Sequence, residues 1–291
     1  IPSYQAITHA LYQSGIARPS GMENIETILE SLKQQNVLRG GDVYYIAQDT
    51  NMLRDRFFSL FLKDIPPHPN LDFILCDTVR SELRNRKDKI NRDMLQNMHP
   101  LNYGLMQSCF LNQNCLEDRL RYIGFQEYNR MRRCTSCDEL DAASSEHSSA
   151  KNDQYILDAY SDFVGIGKKV VFLSRDNEAV RMMIGEENVI PVLLEHPPVD
   201  QDAFMTDWKP FFNLIFILGV LFGKLNLVAE NNTCFALFGV WSSKDAPQWE
   251  EDTFWLEWSP VDGNSQTDKL IAPKWFSHLK RNIALLKKLK L

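Results

Sequence analysis

The chain has 291 residues, 44% of them hydrophobic and 24% charged, with a formal net charge of −6. These proportions exclude a disordered or low-complexity chain and fit an ordinary globular protein, one large domain or a domain with an extension. Six cysteines over this length, with no leading signal-like apolar segment, are expected of an intracellular, cytoplasmic chain (nuclear if the source is eukaryotic) rather than a disulfide scaffold, and the acidic net charge does not by itself point to nucleic acid.

Residues 1–40 read as N-terminal helices packed on a main domain. "YQAITHALYQ" and "GMENIETILESLKQQ" are helical in pattern, the second with Ile25, Ile28, Leu29 and Leu32 on one face. The main domain is expected over 41–195 and opens with "VYYIAQDTNML", residues 43 to 53. Its Val, Tyr and Ile run suits a strand buried on both faces, and Asp49, Thr50 and Asn51 mark where the chain leaves the sheet. In an open parallel sheet that end is where ligands sit. Asp49 also suits the N-cap of a helix in "MLRDRFFSLFL". "LDFILCDTVRSELRNRKDKI" repeats the strand-then-helix unit, switching period at Cys76 and Asp77. A helical insertion is expected over about 91–150, ending in the Ser-rich, loop-like "DAASSEHSSA". "NDQYILDAYSDF" reads as a helix with Asp153 in its first turn and Ile156, Leu157 and Tyr160 on the buried side. "KKVVFLSRDNEAVRMM" is a third strand-then-helix unit with its polar switch at Ser174 to Asp176, and "NVIPVLL" supplies a last strand. Strands alternating with helices at these lengths predict an α/β fold, a three-layer α/β/α sandwich with a mainly parallel central sheet.

Beyond residue 195 the pattern changes to a small C-terminal α/β extension, 196–291. "MTDWKPFFNLIFILGVLFGKL" fits a helix, and "NLVAENNTCFALFGVWSS" fits two strands joined at Asn231 and Asn232. The longest apolar run, Phe211 to Phe222, is too short for a bilayer span of about 20 residues, so no membrane association is expected. Trp241, Trp249, Phe254, Trp255 and Trp258 read as the core of the extension in preference to an RNA-stacking surface. The tail from Lys274 to Leu291 predicts a basic terminal helix. It holds six basic residues and no acid, and subtracting those six from −6 leaves the rest of the chain at −12.

Asp49 ends the first strand, Glu82 falls in the first turn after the second, Asp153 begins a helix and Asp176 ends the third strand, and in a parallel sheet these positions share one edge. Four carboxylates gathered there raise one another's pKa unless a cation shares them. Hard oxygen donors of this kind suit Mg²⁺ or Mn²⁺, and metal-dependent phosphodiester cleavage is the chemistry that uses such a site.

In this order, "QDTNML", "CDTVRSEL", "NDQYILDAY" and "VVFLSRDNEAV" resemble the motifs of PIN-domain ribonucleases over roughly Asp42 to Leu194. The resemblance implies a cluster of three or four acids that binds divalent metal and hydrolyses single-stranded RNA. By matching position it places the catalytic and metal-holding acids at Asp49, Glu82, Asp153 and Asp176, with Asn51 and Ser174 supporting them. The long segment between Glu82 and Asp153 and the extension after residue 195 depart from the family pattern. Asp77 competes with Glu82 but stands where a helix N-cap belongs. Asp158 lies five residues beyond Asp153, roughly 140° round the helix, so the two cannot share one site.

Candidate RNA contacts are Arg175 beside Asp176, Arg80 on the Glu82 helix, and Lys280, Arg281, Lys287 and Lys288 in the tail. Arg84, Arg86, Lys87 and Lys89 read mainly as a solvated helix face. "RLRYIGFQEYNRMRR" interleaves Arg with aromatics as stacking surfaces do, and a helix with aromatic core contacts would look the same. "RCTSC" sets Cys134 and Cys137 at zinc-knuckle spacing, but a lone CxxC reads as a pair of reduced cysteines in preference to structural zinc. The leading functional expectation is a divalent-metal-dependent endoribonuclease. The alternatives are a catalytically silent PIN-like RNA-binding or assembly module and a toxin-type ribonuclease held by an antitoxin, a role for which 291 residues is long.

Overall fold

Four largely apolar runs form β1 (Val43–Gln48), β2 (Leu71–Cys76), β4 (Lys168–Ser174) and β5 (Val189–Leu193), and the polar Cys-Asp-Glu-Leu segment forms β3 (Cys137–Leu140). In the computed structural model they make one all-parallel sheet in the order β3-β2-β1-β4-β5. The structure describes residues 4–34, 40–84, 116–133, 137–141, 149–199, 207–223, 225–228, 234–240, 244–259 and 270–271.

Successive strand side chains point to opposite faces, so near-continuous burial along β1, β2 and β4 requires cover on both faces of the sheet. The chain opens on α1 (Tyr4–Ser14), and the cover is helical: α2 (Met22–Lys33), α3 (Thr50–Arg54), a π-helical turn at Phe58–Leu62, α4 (Asp77–Arg84), α5 (Leu116–Arg132), α6 (Ser149–Phe163) and α7 (Asn177–Met183). The arrangement is consistent with the expected three-layer sandwich. Ile46, Ile74 and Phe172 of the strands pack with Ile25 and Leu32 of α2, Val79 and Leu83 of α4, Leu157 and Tyr160 of α6, and Met183 of α7 in one core.

The strand order decides where a site can form. From β1 the chain winds outward to β2 and β3, then crosses back so that β4 pairs with the other side of β1 and β5 continues outward. The order therefore reverses between β1 and β4, and the crevice beyond their carboxyl ends is the usual ligand position in an open parallel sheet. Gln48 pairs with Leu173, and the next N–H, that of Asp49, donates to the Leu173 carbonyl at 3.0 Å.

Three local expectations are corrected. The insertion expected to be helical does contain α5, but it also supplies the edge strand β3, paired in parallel with β2. An edge strand pairs on one side only, and the half-exposed Cys-Asp-Glu-Leu of β3 carries no apolar run to announce it. The α6 helix starts at Ser149, inside the Ser-rich stretch read as a loop, so Asp153 stands in its second turn. In α4, Asp77 is the first helical residue rather than the cap before it, and Glu82 stands in the second turn rather than the first. One face of α5 points inward: Tyr128 and Ile123 are buried, and Phe125 packs against the core.

Two compact units divide the chain: Leu11–Arg86 with Leu120–Met205, and Ile1–Ala10 with Lys87–Arg119 and Thr206–Leu291. The first holds the parallel sheet. The second holds α8 (Trp208–Phe222), β6 (Leu225–Val228), β7 (Cys234–Phe238), the short α9 (Ala246–Glu250), β8 (Trp255–Ser259) and β9 (Leu270–Ile271). Its sheet is antiparallel in the order β6-β7-β8-β9, two strands more than the sequence suggested. The apolar α8 lies against it through Ile215, Leu237 and Phe254. The approach is close enough that a Cβ on Gly239 would sit 2.3 Å from the Val220 nitrogen, so no larger residue fits there. Trp249 and Phe254 are buried, as a core role requires, whereas Trp241 and the whole basic tail lie outside the described residues. No described helix is long and apolar enough to cross a membrane.

Candidate functional site

Asp49 leaves the end of β1 in extended conformation (φ −69°, ψ 161°) and caps α3, its Oδ1 accepting the Thr50 N–H at 2.6 Å. Its Oδ2 accepts the Ser174 hydroxyl and the Asn51 side-chain amide, both at 2.6 Å. The capping and ligand-site readings of this residue are therefore compatible: the carboxylate that caps α3 is also fixed in orientation by its other hydrogen bonds. Ser174 ends the neighbouring strand β4, and its Oγ in turn accepts the Asp176 N–H at 2.9 Å. The supporting roles expected of Asn51 and Ser174 thus have direct geometry around Asp49.

Thr50 joins a second acid to the first. Its hydroxyl donates to Glu82 Oε2 at 2.6 Å while its N–H holds Asp49, so one residue fixes two carboxylates that lie 33 positions apart in sequence. Asp176 caps α7, accepting the Glu178 N–H through Oδ1 at 2.8 Å. Asp153 stands exposed on α6.

The electrostatics tie the four acids together. Burial is the main force raising the Asp49 pKa to about 6, opposed by the Ser174 and Thr50 hydrogen bonds and assisted by the charges of Glu82 and Asp153. The Asp153 pKa is also raised, by partial burial first and then by Glu82, Asp176 and Glu178. Asp49 therefore feels the charges of Glu82 and Asp153, and Asp153 those of Glu82 and Asp176. Each keeps at least one carboxylate oxygen that accepts no hydrogen bond or only one, which leaves lone pairs for a cation. Among the described residues no three of the four bring oxygens within 4.8 Å of one another. As a donor set, several hard oxygens with open lone pairs fit Mg²⁺ or Mn²⁺.

Asp158 is exposed and accepts the Gln154 side-chain amide at 2.6 Å, one turn along α6. Asp77 is half-buried at the start of α4. Of the candidate RNA contacts, Arg175 is one-third exposed with Nε 3.1 Å from Asp55 Oδ2. Arg80 shares Glu139 with Arg132, at 3.6 and 2.9 Å, and the Tyr128 hydroxyl donates to the same carboxylate, so Arg80 is also part of the α4–β3–α5 packing. Lys280, Arg281, Lys287, Lys288, Arg86, Lys87 and Lys89 lie outside the described residues, as does Cys134; Cys137 is half-buried in β3.

Sequence reasoning passed over Thr50, Asp55 and Glu178. Thr50 stood in the polar triplet after β1, and its hydroxyl was the available signal. Glu178, two residues after Asp176, had the look of an ordinary first-turn acid of a helix. Nothing in the pattern around Asp55 marks it. Comparison of the whole chain with family models, with curated proteins and with solved structures finds no match.

Proposed function

We propose that the protein is a divalent-metal-dependent endoribonuclease with a PIN-like domain, hydrolysing phosphodiester bonds of single-stranded RNA. The observation that carries the reading is the placing of Asp49, Glu82, Asp153 and Asp176, drawn from four separate segments, around one end of an all-parallel sheet, with burial first and the neighbouring acids second raising Asp49 and Asp153. Structural acids are normally paired with cations. Among the described residues these four pair with no Lys, Arg or His, and Asp49, Glu82 and Asp176 accept from main-chain N–H, hydroxyl and amide donors instead.

When bound, Mg²⁺ or Mn²⁺ supplies Lewis acidity at the phosphoryl oxygens and lowers the pKa of a coordinated water. The chain's own residues do the rest. Asp49, Glu82, Asp153 and Asp176 would hold the cation through their carboxylate oxygens. Ser174, Asn51 and Thr50 fix the Asp49 and Glu82 carboxylates, so little reorganisation is needed as charge develops at phosphorus.

The test is cleavage of labelled single-stranded RNA, with single-stranded DNA as control, in Mg²⁺, in Mn²⁺ and in chelator. Metal-dependent internal cuts are expected, with Asp49→Asn and Asp176→Asn each folded and inactive. A folded Asp49→Asn protein that cuts at the wild-type rate removes the site, and binding without any cleavage favours a silent RNA-binding module.

A further inference from the structure

We infer that Arg175 is a clamp for a backbone phosphate and that the buried Asp55 is the positioning residue that sets it; the identity of the ligand as single-stranded RNA rests on the nuclease reading above. Arg175 lies between Ser174 and Asp176, where β4 meets the acidic site. Its main chain is tied to that site, because its N–H donates to Asn51 Oδ1 at 3.0 Å while the Asn51 amide donates to Asp49. Its side chain is held from below by Asp55, whose own N–H donates to the Asn51 carbonyl at 3.0 Å. Asn51 thus locates both members of the ion pair against the metal-holding acids.

Asp55 is only 4% exposed, whereas the Arg175 side chain is 32% exposed. A buried carboxylate gripping the inner edge of a guanidinium leaves the outer edge to face water. The grip is an ion pair rather than an aligned hydrogen bond, since Nε and Oδ2 stand 3.1 Å apart without hydrogen-bond geometry. Among the described residues neither terminal amino group of Arg175 donates to a protein acceptor. Those two groups form a planar fork that matches two phosphate oxygens. Asp55 is itself braced: His196 Nε2 lies 3.3 Å from the same Oδ2, and the His196 ring stacks on Tyr12 at 3.8 Å and 5°.

Charge alone and positioning predict opposite signs. Removing an acid near a phosphate site relieves repulsion and tightens binding if Asp55 acts only through its charge. If Asp55 aims Arg175, its removal weakens binding. The experiment measures the affinity of the whole chain for a labelled single-stranded oligoribonucleotide in chelator, where no metal-dependent cleavage occurs, across a range of salt. Arg175→Ala is expected to weaken binding about tenfold and to make the slope of log K against log salt shallower by about 0.7, as for one lost phosphate contact. Asp55→Asn is expected to weaken binding several-fold, with the double variant no weaker than Arg175→Ala, because both changes remove the same contact. Equal or tighter binding by Asp55→Asn, additive losses in the double variant, or no affinity in the wild type overturns the inference.

Should Asp55→Asn fail to fold, Arg175→Lys decides the matter. It keeps the charge but loses the fork and the Nε contact, so it is expected to bind within about twofold of Arg175→Ala, and wild-type affinity overturns the clamp. The nuclease reading fails separately. A protein that binds through Arg175 and never cuts in Mn²⁺ keeps the clamp and loses the nuclease, and one that cuts with unchanged KM in Arg175→Ala does the reverse.

Discussion

Asp49→Asn tests the electrostatics of the site without any substrate. Burial and the neighbouring acids raise the Asp49 pKa from 3.8 to about 6 in the folded protein. At about 1.36 kcal/mol per unit, this is an order-of-magnitude cost of 3 kcal/mol for holding Asp49 ionised at neutral pH without a cation. The native state binds the proton more tightly than the unfolded chain, so the Asp49 contribution to stability is fully present below pH 3.8 and is lost as pH rises through about 6. The Asp49→Asn variant has no group to titrate there and carries no such dependence. Its introduced amide faces the Asn51 amide and the Ser174 hydroxyl where Oδ2 accepted both, which costs about 1–3 kcal/mol at every pH. That constant term obscures any single comparison, so the pH dependence is the quantity to read. Urea unfolding of both proteins in chelator, from about pH 4 to 7.5, should show the stability of wild type relative to Asp49→Asn falling by about 3 kcal/mol, mostly between pH 4 and 6.5. A difference that is flat over this range, or that rises with pH, refutes the placement of Asp49 as a buried acid crowded by other acids.

Adding Mn²⁺ to chelator-stripped wild type should raise its melting temperature in a concentration-dependent way, reaching about 2.7 kcal/mol at one hundred times the dissociation constant, and the effect should shrink in Asp176→Asn; a melting temperature indifferent to Mn²⁺ counts against metal binding. Asp158→Asn should keep wild-type cleavage, since this acid is exposed and bonded along its own helix, and Asp77→Asn should also keep most activity; a loss at Asp77 matching that of Glu82→Gln would exchange the two acids. Replacing Lys280, Arg281, Lys287 and Lys288 with Gln should leave cleavage of short substrates unchanged while weakening long RNA and flattening its salt dependence, read from binding curves at several salt concentrations.

What the sequence disclosed and what it hid follow one physical division. Strands β1, β2, β4 and β5 were legible because burial on both faces demands unbroken apolar runs, and the switch to polar residues marks their ends. The places of Asp49 and Asp176 were legible for the same reason, since each stands where a strand gives way to the next helix, whereas Glu82 and Asp153 stand in the second turns of theirs. The β3 strand was not, because its place comes from backbone pairing with β2 rather than from its side chains. Thr50, Asp55 and Glu178 were not, because their roles depend on where a side chain points once distant segments meet: Thr50 reaches Glu82 across 32 positions and Ser174 reaches Asp49 across 125. No period along one segment encodes such a contact. It is encoded in register instead. With Gln48 paired to Leu173, the residues that follow, Asp49 and Ser174, emerge side by side. A slip of one residue would bring Arg175 opposite Asp49 and reverse the faces of every side chain in β4. The buried run of Val170, Val171, Phe172 and Leu173 therefore fixes more than a core: it sets which hydroxyl meets the first acid and on which side of it the arginine stands.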